Sequence, residues 1–126
     1  MNRVLHVEDE PDIREVALMA LEMVGGLTVG QAGSGREALA QAQSFAPDII
    51  LMDVMMPGMD GPSTLLELRK CPQTASIPVI FMTAKVQSQE VERYRALGAM
   101  GMIAKPFDPM ALPGQILEIW NRRQTA

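Results

Sequence analysis

The fold of this chain is decided by the stretch Asp48-Ile49-Ile50-Leu51-Met52, which is followed at once by Asp53. Its apolar run is short and is typical of a strand that is buried on both faces of a parallel sheet. Similar runs recur along the chain and are separated by longer segments with helical periodicity. The predicted strands cover residues 4–7, 27–32, 48–52, 79–82 and 101–104. Five strands that alternate with helices predict one doubly wound α/β domain, a (βα)5 arrangement with a five-stranded parallel sheet.

The segments between these strands have the apolar spacing of amphipathic helices. The first helix is predicted to end at Gly25-Gly26, and its apolar face contains Ile13, Val16, Ala17, Ala20, Leu21 and Val24. The next three helices are predicted over residues 35–44, 63–70 and 88–97. The last helix carries Leu112, Ile116, Ile119 and Trp120 on one stripe and finishes in the charged tail 121–123. Because Pro113 and Gly114 disrupt its first turn, we expect a late start or a kink there.

Length and composition limit the classes of protein to which the chain can belong. It has 126 residues, of which 48% are apolar, enough for one compact domain with a real core. Its formal net charge of −4 disfavours direct nucleic-acid binding, which usually needs clustered Lys and Arg. No apolar stretch is long enough to span a membrane, and the first ten residues run into acids, so we expect a soluble, cytoplasmic protein.

Sulfur-containing residues indicate packing and not chemistry. Cys71 is the single cysteine, which excludes an internal disulfide and a cysteine-rich metal site, and we interpret it as an ordinary loop thiol. Several methionines fall within apolar periodic segments and are predicted to fill the core, namely Met19, Met23, Met52 and Met82.

Polar side chains follow the predicted strands at the points where the strands end. Glu8 and Asp9 follow the first, Asp53 the third, Thr83 the fourth and Lys105 the fifth. The carboxyl ends of parallel strands meet at one edge of a sheet, where ligands of such folds bind. Three carboxylates in one place repel one another by roughly 4 kcal/mol per pair at about 4 Å and an effective dielectric of about 20. A bound Mg²⁺ would relieve that repulsion, because it prefers oxygen ligands.

The remaining two groups suit phosphoryl transfer. The ammonium of Lys105 and the hydroxyl of Thr83 are the groups that stabilise the equatorial oxygens of a transferring phosphoryl group. With a cation on one side and Lys105 on the other, Asp53 is predicted to act as the nucleophile and to form an acyl phosphate.

At these residues the chain resembles the receiver domains of response regulators in two-component signalling, and more closely those of the chemotaxis-regulator type. Four segments carry the resemblance in the same order along the chain: Val7-Glu8-Asp9-Glu10-Pro11, Asp53 to Gly61 with Pro57 and Asp60, Phe81-Met82-Thr83-Ala84 and Ala104-Lys105-Pro106-Phe107. Each motif alone is weakly specific, but the four together at this spacing are highly specific.

The resemblance implies a flavodoxin-like sheet with strand order 2-1-3-4-5 and a cis Lys105-Pro106 bond. It implies that Asp53 is the phosphoacceptor, that Thr83 and Lys105 contact the phosphoryl group, and that Mg²⁺ or Mn²⁺ is the cofactor. The implied metal ligands are Glu8, Asp9, Asp53 and the backbone carbonyl of Met55.

The resemblance also implies a role and partners. The phosphoryl donor is expected to be a sensor histidine kinase or a histidine phosphotransfer protein, and the output a contact with a downstream protein target. We expect residues 1–126 to form one receiver domain without an output domain in this chain, as a monomer or as a dimer that depends on phosphorylation. Such a protein transfers a signal and is not a metabolic enzyme, although it carries out its own Mg-dependent phosphorylation and slow autodephosphorylation.

Two positions depart from the family pattern. An aromatic residue usually lies three positions before the strand-five lysine and turns inward with the threonine, but here that position is Met102. The flexible methionine side chain lacks two discrete positions between which an aromatic ring can switch, so activation is expected to be transmitted differently from the rest of the family. Glu8 stands where many relatives have aspartate, and its extra methylene favours a water-mediated metal contact.

Other polar residues are interpreted as structural. His6, the single histidine, lies within the first strand and is expected to be a packed, hydrogen-bonded imidazole, not a proton-transfer group. Asp60 and Gly61 are expected to shape the loop before the third helix, with Pro62 at its start. Glu10 and Asp12 are interpreted as acids at the start of the first helix.

Two other classes of protein, one of enzymes and one of carriers, share features with the receiver interpretation. Phosphatases and phosphotransferases of the haloacid-dehalogenase type also place an aspartate nucleophile and Mg²⁺ after a strand, but with an Asp-x-Asp pattern. Here the residue two after Asp53 is Met55, and the chain has no length for a cap domain. A flavin or nucleotide carrier would need a glycine-rich phosphate loop after a strand, and none follows.

Overall fold

The protein, described here by a computed structural model over residues 1–84 and 87–122, alternates strands with helices from its first residues onward. The strands are β1 (Arg3–Val7), β2 (Thr28–Ala32), β3 (Ile49–Asp53), β4 (Val79–Thr83) and β5 (Gly101–Ala104). The helices are α1 (Pro11–Met19), which continues as a π-helical segment (Ala20–Val24), α2 (Gly35–Phe45), α3 (Gly61–Lys70), α4 (Ser88–Ala96) and α5 (Leu112–Arg122). All four strand pairs are parallel and the order is β2-β1-β3-β4-β5, which confirms the predicted doubly wound sheet.

The sheet is buried between two helical layers, because alternate residues of each strand point to opposite faces. One apolar cluster joins Leu5, Ile50 and Phe81 to residues of α2, α3 and α4. The other joins Val4, Leu51 and Met82 to residues of α1 and α5. Every residue of β3 and β4 is buried, as the continuous apolar runs of these two strands predict.

The predicted element boundaries are close to the observed ones. The third and fourth strands each extend one residue further than predicted, so that Asp53 and Thr83 form their last ladder positions. The late start of the last helix is confirmed: α5 begins at Leu112, which places Pro113 in the first turn, where its missing N–H has no helical partner to lose. Arg123, the end of the predicted charged tail, lies outside the described residues.

The prediction that four methionines fill the core is half wrong. Met52 and Met82 are buried, but the side chains of Met19 and Met23 are 55% and 78% exposed. Each lies two positions after a buried residue of the first helix, Ala17 and Leu21, and two positions on a helix correspond to nearly opposite sides. Val16 and Val24, assigned to the same apolar face, are also largely exposed, so this helix buries a narrower stripe than its sequence suggests.

None of the helices within residues 1–84 and 87–122 combines the length with the apolar composition that crossing a bilayer requires.

Candidate functional site

The sheet brings the predicted site residues to one edge from four different strands. Asp53 and Thr83 end β3 and β4, Glu8 directly follows β1, and Lys105 directly follows β5. The backbone N–H of Lys105 donates to the carbonyl oxygen of Thr83 at 3.0 Å, so β5 stays paired with β4 up to this point. The structure therefore brings together the carboxylates, the hydroxyl and the ammonium that the sequence indicated.

Lys105 is the cation of the cluster. Its Nζ donates to Oε1 of Glu8 at 3.0 Å and to Oδ2 of Asp53 at 3.1 Å. Burial works to lower the pKa of Lys105, but its hydrogen bonds with the two carboxylates outweigh burial and raise the pKa above the ordinary value. Lys105 therefore stays positively charged across the physiological pH range and holds Glu8 and Asp53 on either side of one ammonium.

Glu8 is the most deeply buried acid of the cluster, with 1% of its surface exposed. Its Oε1 contacts Lys105, whereas Oε2 is buried and has no hydrogen-bond partner among the described residues. Burial raises the pKa of Glu8 from 4.5 to about 8, and the neighbouring Asp53 adds to the rise. An unpartnered buried carboxylate oxygen is costly in a folded protein, so this atom is suited to a cation or a proton.

Glu8, Asp9 and Asp53 together can hold a metal ion, since one oxygen from each lies within 4.8 Å of the others. Oxygen donors from carboxylates are those that hard divalent cations such as Mg²⁺ prefer. Above them is a cleft of about 280 Å³ lined by Asp9, Glu10, Asp53, Met55, Thr83, Ala84 and Lys105. Glu8, which is buried, does not line this cleft.

The loop after β3 holds Asp53 in position. The amide of Met55 donates to Oδ1 of Asp53 at 3.3 Å, and Met55 itself is 76% exposed. Asp60 caps α3, because its Oδ1 accepts from the amide of Ser63 at 2.8 Å. A Cβ on Gly61 would lie 2.6 Å from the carbonyl oxygen of Asp53, so only glycine lets α3 start this close to the strand. The interpretation of Asp60 and Gly61 as loop-shaping residues is confirmed, and the metal-ligand role of the Met55 carbonyl stays a prediction.

Met102, at the position where the family usually has an aromatic residue, packs near an aromatic pair. Met102 is opposite Phe81 in the β4–β5 register and is half-buried against the cluster that contains Phe81 and Tyr94. The rings of Phe81 and Tyr94 meet edge to face with centroids 5.3 Å apart. Tyr94 lies on α4, so the aromatic side chain that packs on Phe81 comes from a helix and not from β5.

His6 is buried within β1, as predicted. Its Nδ1 lies 3.3 Å from Nε2 of Gln31, and its Nε2 has no partner among the described residues. Burial lowers the pKa of His6 to about 4, so the imidazole is neutral at physiological pH. The Lys105-Pro106 bond is cis, which confirms that expectation of the resemblance.

Sequence reasoning missed two features of the site. The direct ion pair between Glu8 and Lys105 links residues 97 positions apart, and nothing in the local sequence announces it. Arg14 donates from Nη1 to the carbonyl oxygens of Glu8 and Asp9, at 2.8 and 3.2 Å. A basic residue one turn into the helix that follows an acidic pair is a weak signal, but it is one that the sequence carries.

The comparison with protein families agrees with this geometry. The model of the response regulator receiver domain family matches residues 4–117. The chain belongs to this family. Among curated proteins the receiver domain is similar to response regulator Rre1 of Synechocystis sp. (33% identical; 98% of this chain and 53% of the relative). It is also similar to the phosphate regulon transcriptional regulatory protein PhoB of Escherichia coli K12 (36% identical; 95% and 52%). The chain spans about half the length of these relatives.

Solved structures of receiver domains superpose closely on this one. The chemotaxis response regulator CheY4 of Vibrio cholerae matches with a TM-score of 0.87 and 34% identity, over 94% of this chain and 98% of that one. The receiver domain of a signal transduction histidine kinase from Syntrophus aciditrophicus matches with a TM-score of 0.80 and 32% identity, over 94% and 89%. The fold of this receiver domain is therefore that of the chemotaxis regulators.

Proposed function

We propose that this receiver domain accepts a phosphoryl group on Asp53 from the phosphohistidine of a sensor histidine kinase or a histidine phosphotransfer protein. The observation that carries the proposal is the position of the Asp53 carboxylate at the tip of β3, 3.1 Å from the Lys105 ammonium and beside an open cleft. Asp9 lines the cleft without contacting Lys105, and Glu8 contacts Lys105 without lining the cleft. The Asp53 carboxylate does both. This is the arrangement that a nucleophile for phosphorus needs.

The donor set fits Mg²⁺ or Mn²⁺. Glu8, Asp9 and Asp53 lie together beside one ammonium that contacts two of them, so the cluster carries excess negative charge when all three are ionised. Oε2 of Glu8 has no protein partner in the described chain. Asp9 and Asp53 would hold the ion from the cleft, together with the Met55 carbonyl and Glu8. When bound, the cation would neutralise charge on the phosphoryl oxygens.

The residues of the chain have distinct parts in the transfer. An Asp53 carboxylate oxygen attacks phosphorus, the bond from phosphorus to the donor imidazole nitrogen breaks, and that nitrogen keeps the electron pair. The product is an acyl phosphate on Asp53. Lys105 and Thr83, which line the same cleft, stabilise the phosphoryl oxygens with a charge and a hydroxyl donor. Their contribution rests on positioning, because phosphoryl transfer demands little other chemistry of the protein.

The output of the domain is a change in protein contacts. Phosphorylation would draw Thr83 toward Asp53 and alter the packing of Met102 against the Phe81 and Tyr94 pair, which are its neighbours on the same side of the sheet. Residues 1–126 would act as one receiver unit that contacts a kinase and a downstream protein. The transfer and a slow autodephosphorylation are its only reactions, and it would work in the cytoplasm without direct contact with nucleic acid.

The intact mass of the protein after treatment with acetyl phosphate and Mg²⁺ tests the proposal. The wild type should gain one phosphoryl group, which peptide mapping should place on Asp53, and Asp53→Asn should gain none. Asp60→Asn is the matched control, since it changes an aspartate of the same loop and asparagine caps a helix as well as aspartate does. Full labelling of Asp53→Asn, or its transfer to another residue, would contradict the assignment.

A further inference from the structure

Arg14 contacts the backbone of the acidic loop between β1 and α1, residues 8–10. Its guanidinium Nη1 donates to the carbonyl oxygens of both Glu8 and Asp9, at 2.8 and 3.2 Å. No carboxylate of the described chain lies within ion-pair distance of Arg14. The charge of Arg14 is therefore directed at the main chain that carries the two acids and not at the acids themselves.

The backbone of Arg14 is also held in place, by a side chain of β2. Nε2 of Gln31, on β2, donates to the Arg14 carbonyl at 2.7 Å. A Cβ on Gly33 would lie 3.1 Å from Nη1 of Arg14, so the absence of a side chain there leaves room for the guanidinium. The amide of Glu8 donates to the carbonyl of Ala32 at 3.0 Å. The acidic loop is thus held on one side by β2 and on the other by an arginine whose own position β2 determines.

We infer that Arg14 is the positioning residue of the metal site, and that its bonds to the Glu8 and Asp9 carbonyls set the affinity for the divalent cation. This inference rests on the proposed metal-dependent function. Ionised carboxylates within 4.8 Å repel one another, and without a metal this repulsion acts to push the acidic loop and Asp53 apart. One guanidinium nitrogen that bonds two successive carbonyls holds the backbone against this force and keeps the metal-binding oxygens in place for the ion.

Arg69 provides a matched control on the opposite side of the molecule. It is also half-buried, and it also donates to two backbone carbonyls, Ile77 at 2.8 Å and Gly98 at 3.4 Å. These bonds tie α3 to the loops before β4 and β5, away from the acidic loop. Removing the Arg69 bonds should lower the stability to a similar extent without changing the metal site.

The experiment measures the Mg²⁺ dissociation constant by isothermal titration calorimetry for wild type, Arg14→Met, Arg14→Lys and Arg69→Met, with a thermal unfolding curve for each. Loss of a group that orients metal ligands typically weakens metal affinity by about 10- to 100-fold. Arg14→Met should therefore raise the dissociation constant by about tenfold, and Arg14→Lys, which keeps a single-point donor, by less. Arg69→Met should lower the melting temperature and leave the dissociation constant unchanged. At saturating Mg²⁺, the labelling rate of Arg14→Met by acetyl phosphate should recover most of the wild-type value.

The outcomes separate the inference from the function beneath it. An unchanged dissociation constant in Arg14→Met, or an equal rise in Arg69→Met, would overturn the positioning role while leaving the metal site intact. If Arg14→Met fails to fold, the comparison of Arg14→Lys with Arg69→Met decides the same question. A wild type that binds no Mg²⁺ would overturn the proposed function, and this inference with it.

Discussion

The substitution Glu8→Gln should change the way in which stability depends on pH in the metal-free protein. Burial raises the pKa of Glu8 from 4.5 to about 8 in the folded chain. Between these pH values the folded state holds a proton that the unfolded state has released, so the free energy of unfolding falls as the pH rises. Burial has the opposite consequence for His6: its pKa falls from 6.5 to about 4, and across that interval the unfolded state holds the extra proton.

The two contributions oppose each other up to pH 6.5, and above it only that of Glu8 continues. A difference of one proton corresponds to about 1.4 kcal/mol per pH unit. The free energy of unfolding of the wild type should therefore change little between pH 4.5 and 6.5, and fall by about 2 kcal/mol between pH 6.5 and 8. Glu8→Gln should remove that fall and leave a rise between pH 4 and 6.5, which His6 causes.

Urea denaturation followed by circular dichroism in the presence of EDTA measures both curves. Glu15→Gln, which removes an exposed carboxylate from α1, is the control and should follow the wild type. Saturating Mg²⁺ should abolish most of the fall in the wild type, because a cation beside Glu8 favours its ionised form. Parallel curves for wild type and Glu8→Gln from pH 6.5 to 8 would refute the reasoning, since they would show that Glu8 carries no extra proton in the folded state.

Three further predictions concern the same edge of the sheet. Removing divalent metal with EDTA should stop labelling by acetyl phosphate, measured by intact mass, because the Glu8, Asp9 and Asp53 cluster is then uncompensated; a metal-independent rate would count against it. Gly61→Ala should lower the free energy of unfolding by about 1–3 kcal/mol and slow labelling, since its Cβ would press on the Asp53 carbonyl; normal values of both in urea denaturation and labelling assays would disprove this. Met102→Tyr should enlarge the difference in hydrogen exchange of β5 between the unphosphorylated and phosphorylated chain, because a ring has two discrete packing positions there; identical exchange would show that the position is idle.

The fold and the groups of the site were predictable because both depend on short-range patterns. Apolar runs such as the one before Asp53 predict buried parallel strands, and polar residues at the ends of four of the five strands predict where the chemistry lies. The strand order came from the resemblance, since periodicity alone does not choose between the topologies of a five-stranded sheet. The segments around Asp53 and Lys105 were sufficient for that resemblance.

The sequence was less informative where contacts are long-range or where a helix changes its geometry. Met19 and Met23 are apolar residues in an apolar segment, and only the orientation of the helix shows that they face away from the sheet. The partners of Arg14 are backbone carbonyls, which every residue has, so no residue type marks them in advance. The deep burial of Glu8 follows from how four strands end together and not from its neighbours in the chain.

The bonds of the Lys105 ammonium join residues that are 97 and 52 positions apart. An unfolded chain has no such meeting point, so an ion or a phosphoryl group that binds here selects the folded state. By mass action, a ligand at about 100 times its dissociation constant adds about 2.7 kcal/mol to the free energy of unfolding. A ligand bound at the carboxyl ends of the strands would then also lower the fraction of chains that open to proteases, which would couple occupancy of the site to the lifetime of the protein.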